Sequence, residues 1–188
     1  MFFPSYIKKT GSTGASWNPF CMILVIDAFN AIYKFDDLEE HMHRGQLESA
    51  MQGFTRKMGQ LRDAWKKPLE IHIFFDGKKK QGDETDRESV GGLKCYYSHE
   101  RSADYLIKQF LIACKSPGEV RTVSSDKQVQ HFAKQSRSHV QSSEEFAKWV
   151  QEVLTAPGKD PESRKQDPQM SARDMAYWMD LFKGRKGK

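Results

Sequence analysis

The chain has 188 residues, of which 38% are hydrophobic and 12% aromatic, and 30 basic against 25 acidic residues give it a net charge of +5. This length suits one domain with flanking sequence, and the aromatic content with several dense apolar runs excludes a wholly disordered chain. The longest apolar run, Phe20 to Ile26, is strand-sized and far short of the roughly 18 residues of a spanning helix, so no membrane segment is expected.

Before Met22 the sequence has no helical or strand period. Residues 1–21 are therefore predicted to be a leader outside the domain, and Met22 is an alternative start of the protein. The leader carries two lysines and no acid, residues 157–188 carry eight basic and five acidic residues, and residues 22–156 are neutral. A nucleic-acid partner is only weakly favoured by this charge distribution, because the excess lies in the two flanks.

From Met22 onward, strand patterns alternate with helix patterns. Apolar runs predict strands at 22–26, 69–75, 93–97, 120–124 and 139–141. Apolar residues spaced three and four apart predict helices at 45–66, 102–114, 127–135 and 143–154, with Ser102 capping the second and Ser143 the last. Residues 78–92 are charged and show no period. This order predicts a three-layer α/β domain over 22–154, with helices on both faces of a largely parallel sheet.

The C-terminal region has a different pattern. Three prolines among charged residues predict a linker at 155–170, and the apolar spacing at 171–182 predicts an amphipathic helix. The closing residues 183–188 are basic and are predicted to form a mobile tail.

Aspartates follow the predicted strands at one edge of the sheet. Asp27 and Asp76 come directly after the first and second strands, Asp126 follows the fourth after Ser125, and Asp104 lies in the first turn of the helix after the third strand. The carboxyl ends of parallel strands share one edge, so these acids converge if the strands are neighbours. Close carboxylates repel unless a cation neutralises them, and Mg²⁺ or Mn²⁺ is the hard ion that suits oxygen ligands. Such an ion polarises a phosphoryl oxygen and activates a bound water.

Each acid also has a structural interpretation. Asp104 could complement a helix dipole, Asp76 could belong to a turn, and Asp126 could cap a helix. Asp27 fits such a role least well, because an acid at the end of a buried run is costly to desolvate. The basic run Lys78, Lys79 and Lys80 could contact a phosphate backbone or be a solvated segment.

Other chemistries find no support in the sequence. No Walker A loop and no Gly-x-Gly-x-x-Gly follows a strand, so no nucleotide cofactor is expected. The histidines lack metal-ligand spacing, and there is no Gly-x-Ser-x-Gly nucleophile motif. Three cysteines without a Cys-x-x-Cys spacing make neither a disulfide framework nor a zinc site, which favours reduced thiols in a cytoplasmic protein.

Five segments carry a family resemblance. Residues 25–32 resemble the opening motif of the YacP-like NYN-domain family, within the PIN-like nuclease superfold, although Ala28 stands where that motif has Gly. Residues 74–77, 102–107, 124–127 and 142–146 match later motifs of the family in the family's order. The resemblance spans about 22–154.

This resemblance implies a PIN-like sheet, a divalent metal, and RNA binding or endoribonuclease activity, in some members on mRNA at the ribosome. Carried onto this chain, it makes Asp27, Asp104 and Asp126 the metal-holding acids. It also implies that Asn30 orients a carboxylate or the scissile phosphate and that Lys127 contacts phosphate. Asp76 would be a fourth acid.

The sequence therefore predicts a metal-dependent endoribonuclease that hydrolyses RNA phosphodiesters through a metal-activated water. One alternative is a non-catalytic RNA-binding module of the same fold, which weak metal affinity would favour. The others are a PIN-class toxin, for which the long tail is unusual, and a 5′-nuclease-like DNA enzyme, which needs more acids and a helical arch.

Overall fold

Six strands form one sheet at the centre of the computed structural model, which describes residues 22–79 and 85–155. In sheet order β3-β4-β2-β1-β5-β6, every neighbouring pair is parallel except β3 with β4. The strand bounds are β1 (Met22–Asp27), β2 (Leu69–Phe75), β3 (Arg87–Val90), β4 (Leu93–Tyr97), β5 (Val120–Val123) and β6 (His139–Gln141). The central strand β1 is apolar from Met22 to Ile26, as expected for a strand covered on both faces.

Helices cover both faces of the sheet, as predicted. They are α1 (Ala28–Ile32), α2 (Asp36–His43), α3 (Leu47–Ala64), α4 (Ala103–Ala113), α5 (Lys127–Gln135) and α6 (Ser143–Thr155). Leu24 and Ile26 of β1 belong to the core formed with α1, α2, α3 and α6, whereas Val25 packs in the core formed with α4 and α5. This alternation along one strand produces the three layers. The three-layer, largely parallel α/β architecture is confirmed.

The register of the central strands aligns their carboxyl ends. Asp27 of β1 lies opposite Phe74 of β2, and Ile26 lies opposite Val123 of β5. Because β2, β1 and β5 are adjacent and end nearly level, the residues directly after them meet at one edge. We call this edge, with Asp27, Asp76, Asp104 and Asp126, the acid edge.

The strand β3 lies in a segment, residues 78–92, for which the sequence pattern predicted no element. Its side chains are mostly exposed, so the segment lacks the apolar alternation of a half-buried strand. The missed signal was the pair Gly91 and Gly92, both with positive φ, which form the two-residue turn of a hairpin with β4. The helices α1 and α2 also lie in a stretch for which no element was predicted.

The prediction that Ser143 caps α6 is wrong. The cap is Ser142, whose Oγ accepts a hydrogen bond from Glu145 N at 3.2 Å while Glu145 Oε2 accepts one from Ser142 N at 3.1 Å. This reciprocal pair is a capping box. Ser143 lies inside the helix, and its hydroxyl is buried without a hydrogen-bond partner among the described residues. Either of the two adjacent serines could cap the helix from the sequence alone, and the hydrogen bonds to Glu145 identify Ser142 as the cap.

The predicted leader (1–21), Lys80, most of the predicted linker (155–170) and the C-terminal helix and tail (171–188) lie outside the described residues. Within the ranges that are described, no helix is both long and apolar enough to cross a membrane.

The capping assignment makes a paired prediction for stability. We expect Ser142→Ala to lower the free energy of unfolding by about 1 kcal/mol, because it removes one arm of the capping box. Ser143→Ala should leave stability unchanged or raise it, because it deletes a buried hydroxyl that has no partner among the described residues. Urea unfolding of both variants checks this. A larger loss in Ser143→Ala than in Ser142→Ala would contradict the assignment.

Candidate functional site

Asp27 is the buried acid of the acid edge, with 4% of its surface exposed. Its Oδ2 accepts hydrogen bonds from Asn30 Nδ2 at 2.6 Å and Ser124 Oγ at 3.0 Å, and its Oδ1 accepts one from Asn30 N at 3.4 Å. Burial raises the pKa of Asp27 to about 6, although these hydrogen bonds lower it, and the nearby charge of Asp104 raises it further. The protein therefore holds a carboxylate whose ionisation lies near neutral pH.

Ser124 joins two of the acids, a role that sequence reasoning missed. Its buried hydroxyl donates to Asp27 Oδ2 and accepts a hydrogen bond from Asp126 N at 3.0 Å. The loop after β5 is thereby fixed against the end of β1. The sequence feature that could have indicated this role is a serine at the end of a buried strand, where a polar side chain needs a hydrogen-bond partner.

Asp126 has the structural role that its position before a helix indicated. Its Oδ1 accepts hydrogen bonds from Gln128 N at 2.6 Å and Val129 N at 3.0 Å, so it caps the N-terminus of α5. The cap uses one carboxylate oxygen. Its backbone remains tied to Asp27 through Ser124, so capping and membership of the acid edge coexist.

Asp76 also makes structural hydrogen bonds. Its Oδ1 accepts from Ser98 Oγ at 3.0 Å and from Ala103 N at 2.8 Å, which ties the end of β2 to the start of α4. Because Ala103 is the residue before Asp104, these hydrogen bonds hold Asp76 next to the first turn of α4, which carries Asp104. Asp76 thus helps to fix the start of α4 and with it the position of Asp104.

Asp104 is the electrostatic link among the acids. It is the second residue of α4, after the cap Ser102, whose Oγ accepts a hydrogen bond from Tyr105 N. Partial burial raises the pKa of Asp104, the charges of Asp126 and Asp76 raise it further, and Lys108 acts in the opposite direction. Asp104 also raises the pKa of Asp27. Asp104 therefore interacts electrostatically with each of the other three acids. That these acids together hold a metal ion stays a prediction.

The fit to a divalent ion is mixed. Four carboxylates supply the oxygen atoms that Mg²⁺ or Mn²⁺ prefers, and their mutual repulsion favours a cation. Within residues 22–79 and 85–155, however, no three or more acidic, histidine or cysteine side chains are grouped so that they could hold a metal ion. The donor chemistry fits the ion, whereas the arrangement of the side chains is not a ready ligand set.

A further acid, Glu144, contacts the loop that carries Asp126 and was not among the predicted site residues. Its Oε2 accepts a hydrogen bond from Ser125 Oγ at 2.7 Å, and its Oε1 lies 3.0 Å from Lys34 Nζ. The bonds to Ser125 and Lys34 lower the pKa of Glu144 to about 2. Glu144 thus joins the turn after α1, the loop before Asp126 and the start of α6. Because its partners come from distant segments, no local sequence pattern indicated it.

The predicted phosphate-contacting lysines lie in different places. Lys127 is exposed at the first position of α5, next to Asp126. Lys78 lines a groove beside α4, whereas Lys79 Nζ lies 2.6 Å from Glu88 Oε2 on the hairpin. Ala28, at the position where the family motif has Gly, is fully buried in the core, to which its methyl group contributes.

Comparison with known proteins places the fold and the motifs in one family. The sequence matches the YacP-like NYN domain over residues 24–180, which is most of the chain. The protein belongs to the YacP-like NYN-domain family. No match was found among curated proteins.

Solved structures of the same family share this fold. The crystal structure of Rae1 (YacP) from Bacillus subtilis superposes with a TM-score of 0.53 at 18% identity, covering 87% of this chain and 91% of that one. A point mutant of the same Bacillus subtilis protein gives a TM-score of 0.56 at 17% identity, covering 71% and 77%. The PIN-like fold predicted for this chain is confirmed by these similarities.

The raised pKa of Asp27 makes its effect on stability depend on pH. The folded state binds the Asp27 proton more tightly than the unfolded state, so ionisation between about pH 4 and pH 6 weakens the fold, and the full penalty is present at pH 7. Relative to the wild type, Asp27→Asn should therefore gain about 2 kcal/mol of unfolding free energy between pH 4 and pH 7. Urea unfolding at both pH values measures this difference.

Comparing the unfolding free energies at the two pH values isolates the effect of the Asp27 charge. Any hydrogen bond that the Asn amide alters is altered at both pH values and cancels. Asp63→Asn, which neutralises an exposed acid at the end of α3, is the matched control and should run parallel to the wild type. Parallel curves for Asp27→Asn as well would contradict a raised pKa.

Proposed function

We propose that this protein binds RNA at the acid edge and hydrolyses its phosphodiester bonds with the help of a divalent metal ion. The observation that carries the proposal is that Asp104 is electrostatically coupled to the buried Asp27, to Asp126 and to Asp76 at one edge of the sheet, in a chain of the NYN-domain family. A family related to PIN-like nucleases supports a nuclease or RNA-binding role in general.

In this proposal Asp27, Asp104 and Asp126 hold Mg²⁺ or Mn²⁺, with Asp76 at the margin. A bound ion supplies neutralisation of the phosphate charge and a water of lowered pKa. Asn30, which donates to Asp27 Oδ2, keeps that carboxylate facing the edge. Lys127, at the N-terminus of α5, contacts a phosphate oxygen of the RNA.

Holding an ion requires a side chain to rearrange, because no three of the acids are grouped as ligands in the described residues. Asp104 is the side chain best able to do so. Asp27 is fixed by Asn30 and Ser124, Asp126 caps α5, and Asp76 is bonded to Ser98 and Ala103. No described side chain donates a hydrogen bond to the Asp104 carboxylate, so its rotation breaks no such bond.

A second candidate function is RNA binding without cleavage. Two observations favour it. Each acid except Asp104 already has a structural role, and no three of the four acids form a ligand set among the described residues. Metal-dependent cleavage distinguishes the two candidates directly.

The test is incubation of the purified full chain with single-stranded and structured RNA in Mg²⁺, Mn²⁺ or EDTA. We expect cleavage with either ion and none in EDTA. Asp104→Asn should slow cleavage about tenfold to a hundredfold or more, since even outer partners of metal ligands have effects of this size. It should leave the fold intact, because its carboxylate accepts no hydrogen bond from a described side chain.

The matched control is Asp63→Asn, which should cleave at the wild-type rate. RNA binding without cleavage would identify the binding module instead, and cleavage that persists in EDTA would contradict the metal. Equal rates for Asp104→Asn and the control would remove Asp104 from the site.

A further inference from the structure

A groove of about 950 Å³ opens beside the acid edge, between α4 and the β3–β4 hairpin. Its walls include three basic side chains, an aromatic ring and an apolar side chain from α4, namely Lys78, Arg87, Arg101, Tyr96 and Leu106. Two acids, Asp86 and Glu100, also line it. Basic side chains thus outnumber acids among the lining residues, which suits an anionic occupant.

Two segments of the chain connect the lining of the groove to the acid edge. Asp76, of the acid edge, directly precedes Gly77 and Lys78 at its rim, and Asp76 Oδ1 accepts the hydrogen bond from Ala103 N. Ala103 lies between Arg101, on the groove wall, and Asp104, on the acid edge. Arg101 of the groove wall is thus three residues before Asp104, and Lys78 is two residues after Asp76.

A hydrogen-bonded turn fixes the groove wall that carries Arg101. Ser98 N donates to Phe75 O at 3.0 Å, and Arg101 N donates to Ser98 O at 2.9 Å. His99 adopts a positive φ of 53°, and its backbone N donates to Gly77 O at 3.0 Å while its ring Nε2 lies 3.0 Å from Thr85 O. The same ring lies 3.3 Å from the exposed Asp86 carboxylate. The turn is therefore held before any ligand binds.

Arg101 is presented as a flat cationic surface. Its side chain is exposed, and its guanidinium carbon lies 4.8 Å from the centre of the Tyr105 ring, one residue after Asp104. A cation–π contact of this kind orients the guanidinium plane. The Tyr105 ring thus lies beside the guanidinium, and a planar guanidinium is suited to stacking on a nucleobase as well as to contacting a phosphate.

We propose that this groove binds the nucleotides of a single-stranded RNA next to the acid edge, with Arg101, backed by Tyr105, as the surface on which a base stacks. The inference rests on the proposed function, and it specifies the substrate as RNA whose bases are unstacked. Paired bases are stacked on each other and cannot offer a free face to Arg101.

The experiment measures fluorescence anisotropy of the full chain with a labelled 12-nucleotide single strand and with a hairpin of equal charge, both in EDTA so that binding is separated from cleavage. We expect tighter binding to the single strand. Arg101→Ala should weaken that binding about tenfold, the usual effect of losing one stacking partner, and lower the salt slope by about 0.7. Tyr105→Leu should weaken it less.

Arg56→Ala is the matched control, because Arg56 is an exposed arginine of α3 on the other face of the sheet. Arg101→Lys keeps the charge but loses the planar group, and should bind clearly more weakly than the wild type. Equal affinities for Arg101→Ala and Arg56→Ala, full rescue by Arg101→Lys, or tighter hairpin binding would each overturn the inference alone. Absence of RNA binding by the wild type in EDTA would also overturn this inference, whereas the proposed function is tested separately by the cleavage assay with Mg²⁺ or Mn²⁺.

Discussion

The carboxylate of Asp27 lies at the end of the central strand, buried between two layers of helices, and an ionised group there is expensive to desolvate. Three hydrogen bonds from Asn30 and Ser124 offset part of that cost, and the remaining cost appears as the raised pKa. Ser124 also accepts a hydrogen bond from Asp126 N, so the residue that stabilises the Asp27 carboxylate also positions a second acid. The local arrangement of the site follows from stabilising this one group.

The order of the strands extends the arrangement to the other acids. With β2 and β5 on either side of β1, Asp76 and Asp126 flank Asp27, and α4, which Asp76 ties to the end of β2, brings Asp104 to the same edge. Each acid except Asp104 serves the fold through a cap or a bridging hydrogen bond. Structural and functional explanations of these acids are therefore not exclusive, because a cap uses only some of the carboxylate's oxygen lone pairs. Asp104 contributes least to the fold, which makes it the most informative position for separating the two.

The sequence was sufficient to predict those elements and caps whose pattern spans only a few residues. The bounds of β2, α5 and β6 and the capping of α4 by Ser102 agree with the structure, because apolar periodicity and cap chemistry act over a few residues. The strand β3 was missed because an exposed edge strand carries no apolar alternation, and the cap of α6 was assigned one residue late. The bonds of Ser124 to Asp27 and of Glu144 to Ser125 and Lys34 could not be identified from the sequence, since these partners lie in distant segments. Convergence of the acids was predicted from topology, but the absence of a ligand set among the described residues depends on side-chain positions that no sequence pattern gives.

The most direct test of the buried charge and its proposed role is the titration of the aspartate carboxyl groups by carbon-13 NMR, with and without Mg²⁺. We predict one aspartate signal, absent in Asp27→Asn, with a midpoint at about pH 6. Addition of Mg²⁺ should move that midpoint to lower pH, because a bound cation favours the ionised form. An Asp27 signal that titrates near the ordinary value of 3.8, and does so equally with and without Mg²⁺, would contradict both the buried charge and its proposed part in metal binding.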